Sequence, residues 1–159
     1  MRVIGIDPGY DRLGVAIMEY ENGSEKLLYS ACIESDRSHP LPDRLQVVGD
    51  SLLSLIEEYT PDTLAVETIF FNKNVKTAIG VAEARGVFLY IAKSTGCQIY
   101  EFSPQQIKNA VTGYGKSDKK AVIDMVCRLV KGSPTNALDD EYDAIAVGVA
   151  CLATYGRNR

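Results

Sequence analysis

Two apolar, β-branched runs, LGVAIMEY and KLLYSACIES, are joined through Asn22-Gly23. Asn-Gly tolerates the left-handed backbone of a two-residue hairpin turn, so the two runs are expected to pair antiparallel. Before them RVIGID, closed by the turn signal Pro8-Gly9, reads as another short strand. Residues 2–35 therefore predict a three-stranded antiparallel meander. Beyond the SHPLP loop the apolar period lengthens: Leu45, Val48, Leu52, Leu55 and Ile56 recur at helical spacing within residues 43–59, and Pro61 stops that helix. TLAVE is a compact strand with both faces covered. IFFNKN is a polar-aromatic loop, and a long helix over residues 75–94 carries Val75, Ile79, Ala82, Gly86 and Leu89 on one face. CQIYEF is a fifth strand. Helical stretches follow in SPQQIKNAV, in SDKKAVIDMVCRLV and from Leu138 to Tyr155, with Ser103-Pro104 and Ser117-Asp118 as starts.

An antiparallel meander followed by strands with helical crossovers predicts an α/β fold, a five-stranded mixed sheet flanked by helices. We read residues 1–159 as one domain, because neither a repeat nor a linker interrupts the pattern. In such folds functional groups gather at the carboxyl ends of strands.

Composition narrows the class. A hydrophobic fraction of 46% with 24% charged residues excludes a disordered or collagen-like chain. No apolar run approaches the ~20 residues that cross a bilayer. Asp7 comes too early for a secretory leader, so a cytoplasmic location is expected. Cys32, Cys97, Cys127 and Cys151 are too dispersed for a zinc site and are expected to be buried thiols. His39, the one histidine, lies in the SHPLP loop, which argues against serine- or cysteine-histidine catalysis. Net charge is −4, but residues 68–131 carry a net +6 while residues 1–67 carry −8. An acidic protein can thus still present a basic face to phosphate.

Asp7 ends the run VIGI, and Glu67 ends LAV. Ionised carboxylates beside a core are expensive unless cations or donors compensate them. Plainer roles exist for each: Asp-Pro-Gly is a good turn in itself, and Glu67 could cap the next helix. The stretch LDDEYDAIAVGVA changes the balance, since four acids in five positions exceed what complementing a helix dipole requires. Asp140 and Asp143, three apart, share one helix face, with Asp143 directly before the apolar run. Asp139 and Glu141 are expected to face solvent, although a pairing of Asp139 with Asp143, four apart, is also open. Asp7, Glu67, Asp140 and Asp143 form an oxygen-only donor set suited to Mg²⁺ or Mn²⁺. Two such ions held by shared carboxylates are an apparatus for phosphodiester hydrolysis, and it needs no protein nucleophile.

GIDPGYDRLGVA, AVETIFFNKNVKTAIGVAEARGV and DDEYDAIAVGVA, in that order across nearly the whole chain, resemble the RuvC family of bacterial Holliday-junction resolvases. The resemblance implies an RNase H-like fold and a homodimer that cuts four-way DNA junctions with Mg²⁺, for which Mn²⁺ can substitute, two ions to a site. It also implies docking to the branch-migration proteins RuvA and RuvB. Asp7, Glu67, Asp140 and Asp143 fall on the family's acidic positions, with Asp139 the alternative to Asp140 in the crowded DDEYD stretch.

Phe70 and Phe71 follow the acidic strand end in a loop with Lys73. An aromatic among basic and amide groups suits stacking on an unpaired base, and the resemblance gives that part to Phe70. Lys76 and Arg85 lie on the next helix, and the resemblance implies that Gly86 permits close packing with a partner helix there. Lys116, Lys119 and Lys120, with Lys108, are candidate phosphate contacts, and the resemblance singles out Lys108 and Lys119. The GKS within TGYGKSDKK imitates a phosphate-cradling P-loop but lacks its first glycine and the preceding strand. Two other readings compete: a YqgF-like nuclease of ribosomal RNA precursors in the same fold, and an actin- or chaperone-ATPase-like nucleotide-binding module suggested by GIDPG. The second normally needs two domains.

Overall fold

A computed structural model describes residues 1–21, 23–69 and 75–156, with the side chains of residues 75–77 excepted. Strands β1 (Arg2–Asp7), β2 (Arg12–Glu21) and β3 (Ser24–Glu34) precede helix α1 (Leu41–Tyr59) and strand β4 (Thr63–Glu67). Helix α2 (Val75–Ser94), strand β5 (Gln98–Phe102) and helices α3 (Pro104–Thr112), α4 (Lys119–Leu129) and α5 (Asp139–Tyr155) complete the chain. The sheet order is β3-β2-β1-β4-β5. β1, β2 and β3 pair antiparallel, whereas β1–β4 and β4–β5 are parallel. The meander and the mixed sheet are as the sequence predicts. Glu21 pairs with Ser24 and Gly23 has φ 81°, so the hairpin turns in two residues, of which Asn22 lies outside the described ones.

Local chemistry sets the helix starts. Ser103 caps α3, its hydroxyl accepting from the Gln106 amide at 3.2 Å while its own amide donates to the Gln106 side chain at 2.8 Å. Asp118 caps α4 by accepting from the Ala121 amide at 2.8 Å, which fixes Lys119 in the first turn.

Side chains alternate across the sheet. Ile4, Ile6, Leu13, Val15, Ile17, Leu64 and Val66 face a core shared with α1 and α2, and Val3, Ala16, Met18 and Ala65 face one shared with α3, α4 and α5. Helix α5 is buried almost all round because it lies between the sheet and α3 and α4, which explains its unbroken AIAVGVACL. It approaches β1 backbone to backbone: a Cβ on Gly5 would stand 2.5 Å from the Ala144 carbonyl oxygen. Helix α2 corrects the sequence reading. Its buried residues are Gly80, Ala84, Phe88 and Ala92, whereas Ile79 is 54% exposed and Gly86 is also exposed. The face drawn through Ile79, Ala82, Gly86 and Leu89 is not the core face.

The cysteines also depart from expectation. Cys97 and Cys151 are buried, but Cys127 is exposed and Cys32 half-buried; all four are free thiols. His39 is exposed in its loop. Among the described residues no helix is long and apolar enough to cross a membrane.

Candidate active site

The two-residue period of a strand decides where the first two acids point. Asp7 shares a face of β1 with Val3, and Glu67 shares a face of β4 with Ala65, so both lie on the α5 side of the sheet. β1 and β4 are parallel neighbours in register Ile6↔Val66, which sets the two carboxylates side by side at the carboxyl edge. Asp7 is paired with Gly14 across the hairpin. A Cβ on Gly14 would overlap the Asp140 carbonyl, so the absent side chain is what admits the first turn of α5 beside Asp7. That turn brings Asp140 to the strand ends, and Asp143 follows one turn along the same face.

The acids affect one another. Burial, then the charges of Asp143, Glu67 and Asp140, push the Asp7 carboxyl up to about 7. Glu67 is raised by burial and by Asp143, against the pull of Lys108 and Lys119. Burial raises Asp143 as well, opposed by its hydrogen bond from Lys119. The Lys119 ammonium is 3.0 Å from Asp143 and 3.1 Å from Asp139. Burial disfavours its charge, yet these two bonds outweigh that and hold its pKa above the ordinary lysine value. Arg12 lies 3.7 Å from Asp140. The Cys32 sulfur is 4.0 Å from the same carboxylate, and burial, then Asp140, raises that thiol to about 11. At neutral pH it stays protonated and unreactive.

Glu67, Asp143, Lys108 and Lys119 line a cavity of about 290 Å³ whose apolar walls include Ile107 and Val122. A larger cleft of about 920 Å³, near Lys26 and Lys131, contains none of the four acids. Lys116 and Lys120 are exposed. Phe70 and Lys73 lie outside the described residues, as does the Lys76 side chain. Gly115-Lys116-Ser117 sits in a turn between two helices rather than after a strand, so it is not a P-loop.

Of the two acids expected to face solvent, one departs from the sequence reading and one follows it. Glu141 is not solvated: its carboxylate accepts from the Ser30 hydroxyl at 2.5 Å, tying α5 to β3. Asp139 has 66% of its side chain exposed but is paired with Lys119. Sequence reasoning missed Arg12 and Arg37, which stand close to Asp7 and Asp140 around the turn after β1. For Arg12 the hairpin register carried the signal, since residues just before Gly14 must lie at the same sheet edge as Asp7, whereas Arg37 comes from the loop after β3.

The donor set suits a divalent cation. The charges of Glu67, Asp140 and Asp143 all act on the buried Asp7 carboxyl and raise it, a repulsion that a hard cation would relieve. Among the described residues no three such side chains form a finished ion cage, and Lys119 is at present the cation that bridges Asp143 and Asp139.

Comparison with known proteins agrees with this geometry. The family model described as crossover junction endodeoxyribonuclease RuvC matches residues 3–151. The RuvC of Thermosipho melanesiensis is 45% identical over 157 residues, covering 99% of each chain. That of Finegoldia magna is 43% identical over 149 residues, covering 94% of this chain and 91% of the relative. The structure of Thermus thermophilus RuvC in complex with Holliday junction substrate superposes with a TM-score of 0.90 at 28% identity, covering 99% of this chain and 95% of the other. The fold is thus RNase H-like, and the chain belongs to the RuvC family of crossover junction endodeoxyribonucleases.

Proposed function

We propose that this nuclease resolves four-way DNA junctions in recombination and repair through Asp7, Glu67, Asp140 and Asp143, acting as one cytoplasmic domain over residues 1–159 within a homodimer. The observation that carries the assignment is the convergence of acids from β1, β4 and α5 at one sheet edge, where the charges of Glu67, Asp140 and Asp143 all act on Asp7. These acids would hold Mg²⁺, two ions to a site with Mn²⁺ able to substitute, and the metal would supply a more acidic bound water and charge neutralisation at the phosphate. Lys108 and Lys119 offset the repulsion between this acidic cluster and the DNA, and they line the cavity that the phosphate would enter. Lys73, Lys76, Lys116 and Lys120 would follow the backbone, and Phe70 would stack on a base opened at the crossover. A two-fold dimer matches the symmetry of an opened junction and would nick two strands, leaving 5′-phosphate and 3′-hydroxyl ends. RuvA and RuvB are its proposed branch-migration partners.

The decisive experiment incubates the purified protein with a synthetic immobile junction and with a structured RNA, each with Mg²⁺, with Mn²⁺ or with chelator. Paired nicks in the junction, dependent on the metal, are expected, with the RNA intact. A junction left whole in both metals, or RNA cut in preference, would overturn the reading.

A further inference from the structure

The acidic cluster has two mouths. Glu67 and Asp143 line the lysine-bearing cavity, whereas Asp7 and Asp140 line a second cavity of about 330 Å³, rimmed by Arg12 and Arg37. Both arginines are loosely engaged. Arg12 is 42% exposed and stands 3.7 Å from Asp140 and 3.8 Å from Glu34, longer than hydrogen bonds. Arg37 is 71% exposed and lies 3.3 Å from Asp11. Asp11, however, is already satisfied by Arg44, a guanidinium only 10% exposed that also donates to the Ser35 hydroxyl at 3.1 Å and lies over the Tyr10 ring. Tyr10 in turn occupies the space that a side chain on Gly80 would fill, 2.5 Å from where that Cβ would stand. The turn carrying this second cavity is therefore clamped between α1 and α2, while Arg37 is a surplus cation on it. Surface pairs of such length contribute little, so both arginines can exchange their carboxylates for phosphate.

A DNA strand lying across the acids must pass phosphates over both mouths, and among the described residues lysines line only one of them. We propose that Arg12 and Arg37 bind backbone phosphates of the cut strand on the side of the scissile bond away from Lys108 and Lys119. This rests on the junction-cutting reading. It adds a substrate contact that makes the basic surface flank the acids on both sides.

The test is anisotropy titration of a labelled four-way junction in chelator, over a series of salt concentrations. Wild type is compared with Arg12→Gln, Arg37→Gln, the double variant and the double Lys variant, with melting curves confirming that each is folded. Each lost phosphate contact should flatten the slope of log affinity against log salt by about 0.9, and the double Gln variant should bind roughly tenfold or more weakly at low salt. The double Lys variant should recover the slope. A double Gln variant with unchanged slope and affinity, beside a wild type that binds normally, overturns the proposal. If Arg12→Gln, also assayed for cutting with Mg²⁺, slows cutting without changing the slope, Arg12 merely positions Asp140 and its half of the proposal is wrong. A wild type that binds no junction at any salt brings down the junction reading itself, a distinguishable result.

Discussion

The acids on the strands and the acids on the helix are stabilised differently. Asp7 and Glu67 stand on central strands whose backbones are locked by pairing on both sides, and among the described residues no cation lies within 4.0 Å of either. Asp140 stands on the first turn of α5 and Asp143 just beyond it, where Arg12 and Lys119 approach them. The strand pair feels its lysines only at a distance, whereas the helix pair is met directly by cationic side chains that can move. Catalytic precision would then come from the sheet at a cost in stability, while the helix pair supplies charges whose partners DNA or metal can displace.

The sharpest test of that contrast is Asp7→Asn, with the largest expected effect. Cutting of a synthetic junction should fall ~1,000-fold or more, in line with the several kcal/mol of charge stabilisation that a metal site supplies. Stability should move the other way. Asp7 has a folded pKa of about 7, well above the 3.8 of an ordinary aspartate, so its favourable contribution is full below pH ~4 and is lost as pH rises through 7. Above that pH the ionised carboxylate destabilises the metal-free fold by an amount on the order of 2–4 kcal/mol. Metal-free Asp7→Asn should therefore melt higher than wild type at pH 8, and the gap should close towards pH 4. Asp143→Asn should lose cutting without that gain, because it also removes a partner of Lys119. Equal pH-dependent stabilisation by both variants would erase the distinction between the pairs.

The contact that joins the two pairs ranks next. Gly14→Ala sets a methyl against the Asp140 carbonyl, and backbone cannot swing aside as a side chain would. The first turn of α5 must shift, at about 1–3 kcal/mol of stability. Misplacement by an ångström or so should lower cutting on the order of 100-fold while junction binding stays within about threefold. Cleavage at the wild-type rate would show that strand and helix acids need not keep this spacing.

Why some of this was legible in the sequence and some was not follows from the same geometry. Asp7 and Glu67 stood out because each interrupts an apolar strand, and a carboxylate there has few structural reasons to exist. The hairpin stood out because Asn22-Gly23 has one strongly favoured backbone. Helix α2 misled because its core face is built from Gly80, Ala84 and Ala92 around a single large residue, Phe88, whereas the bulkier Ile79 faces outward. Small residues that let elements approach closely leave almost no periodic signal. Glu141 misled for another reason: its partner Ser30 is 111 positions away, a contact that only the folded sheet creates. Arg12 and Arg37 were passed over because their charges are separated in sequence by a strand, a hairpin and another strand. The four-way junction as substrate came from family likeness alone, because spacing and charge pointed only to phosphodiester chemistry.

Lys119 should give an intermediate effect. Its ammonium serves two carboxylates and lines the cavity beside Glu67, so Lys119→Gln should lower cutting about 10- to 100-fold, the range expected when one charge-assisted contact of 1.5–3 kcal/mol is removed. Raising Mg²⁺ should restore part of the loss if the lysine only neutralises Asp143. A deficit that no metal concentration relieves would assign Lys119 to the DNA phosphate instead.

The smallest effect is the one that decides between neighbouring acids. Asp140 takes part in raising Asp7, whereas Asp139 is two-thirds exposed and its charge is felt at Lys119 and Asp143 but is not among those acting on Asp7. Asp139→Asn should therefore slow cutting by no more than about threefold, the size of an exposed ion pair of 0.2–1 kcal/mol. Asp140→Asn, one position on, should cost far more, because its carboxylate shares the crowded edge with Asp7 and its backbone rests on Gly14. The comparison is internally controlled: both substitutions remove one negative charge from the same helix turn, so any dipole effect on α5 is common to them. Single-turnover rates on one junction separate the two. If Asp139→Asn proved the more damaging, the helix would present its outer acid to the strands, and the pairing of Asp139 with Asp143 would replace that of Asp140 with Asp143.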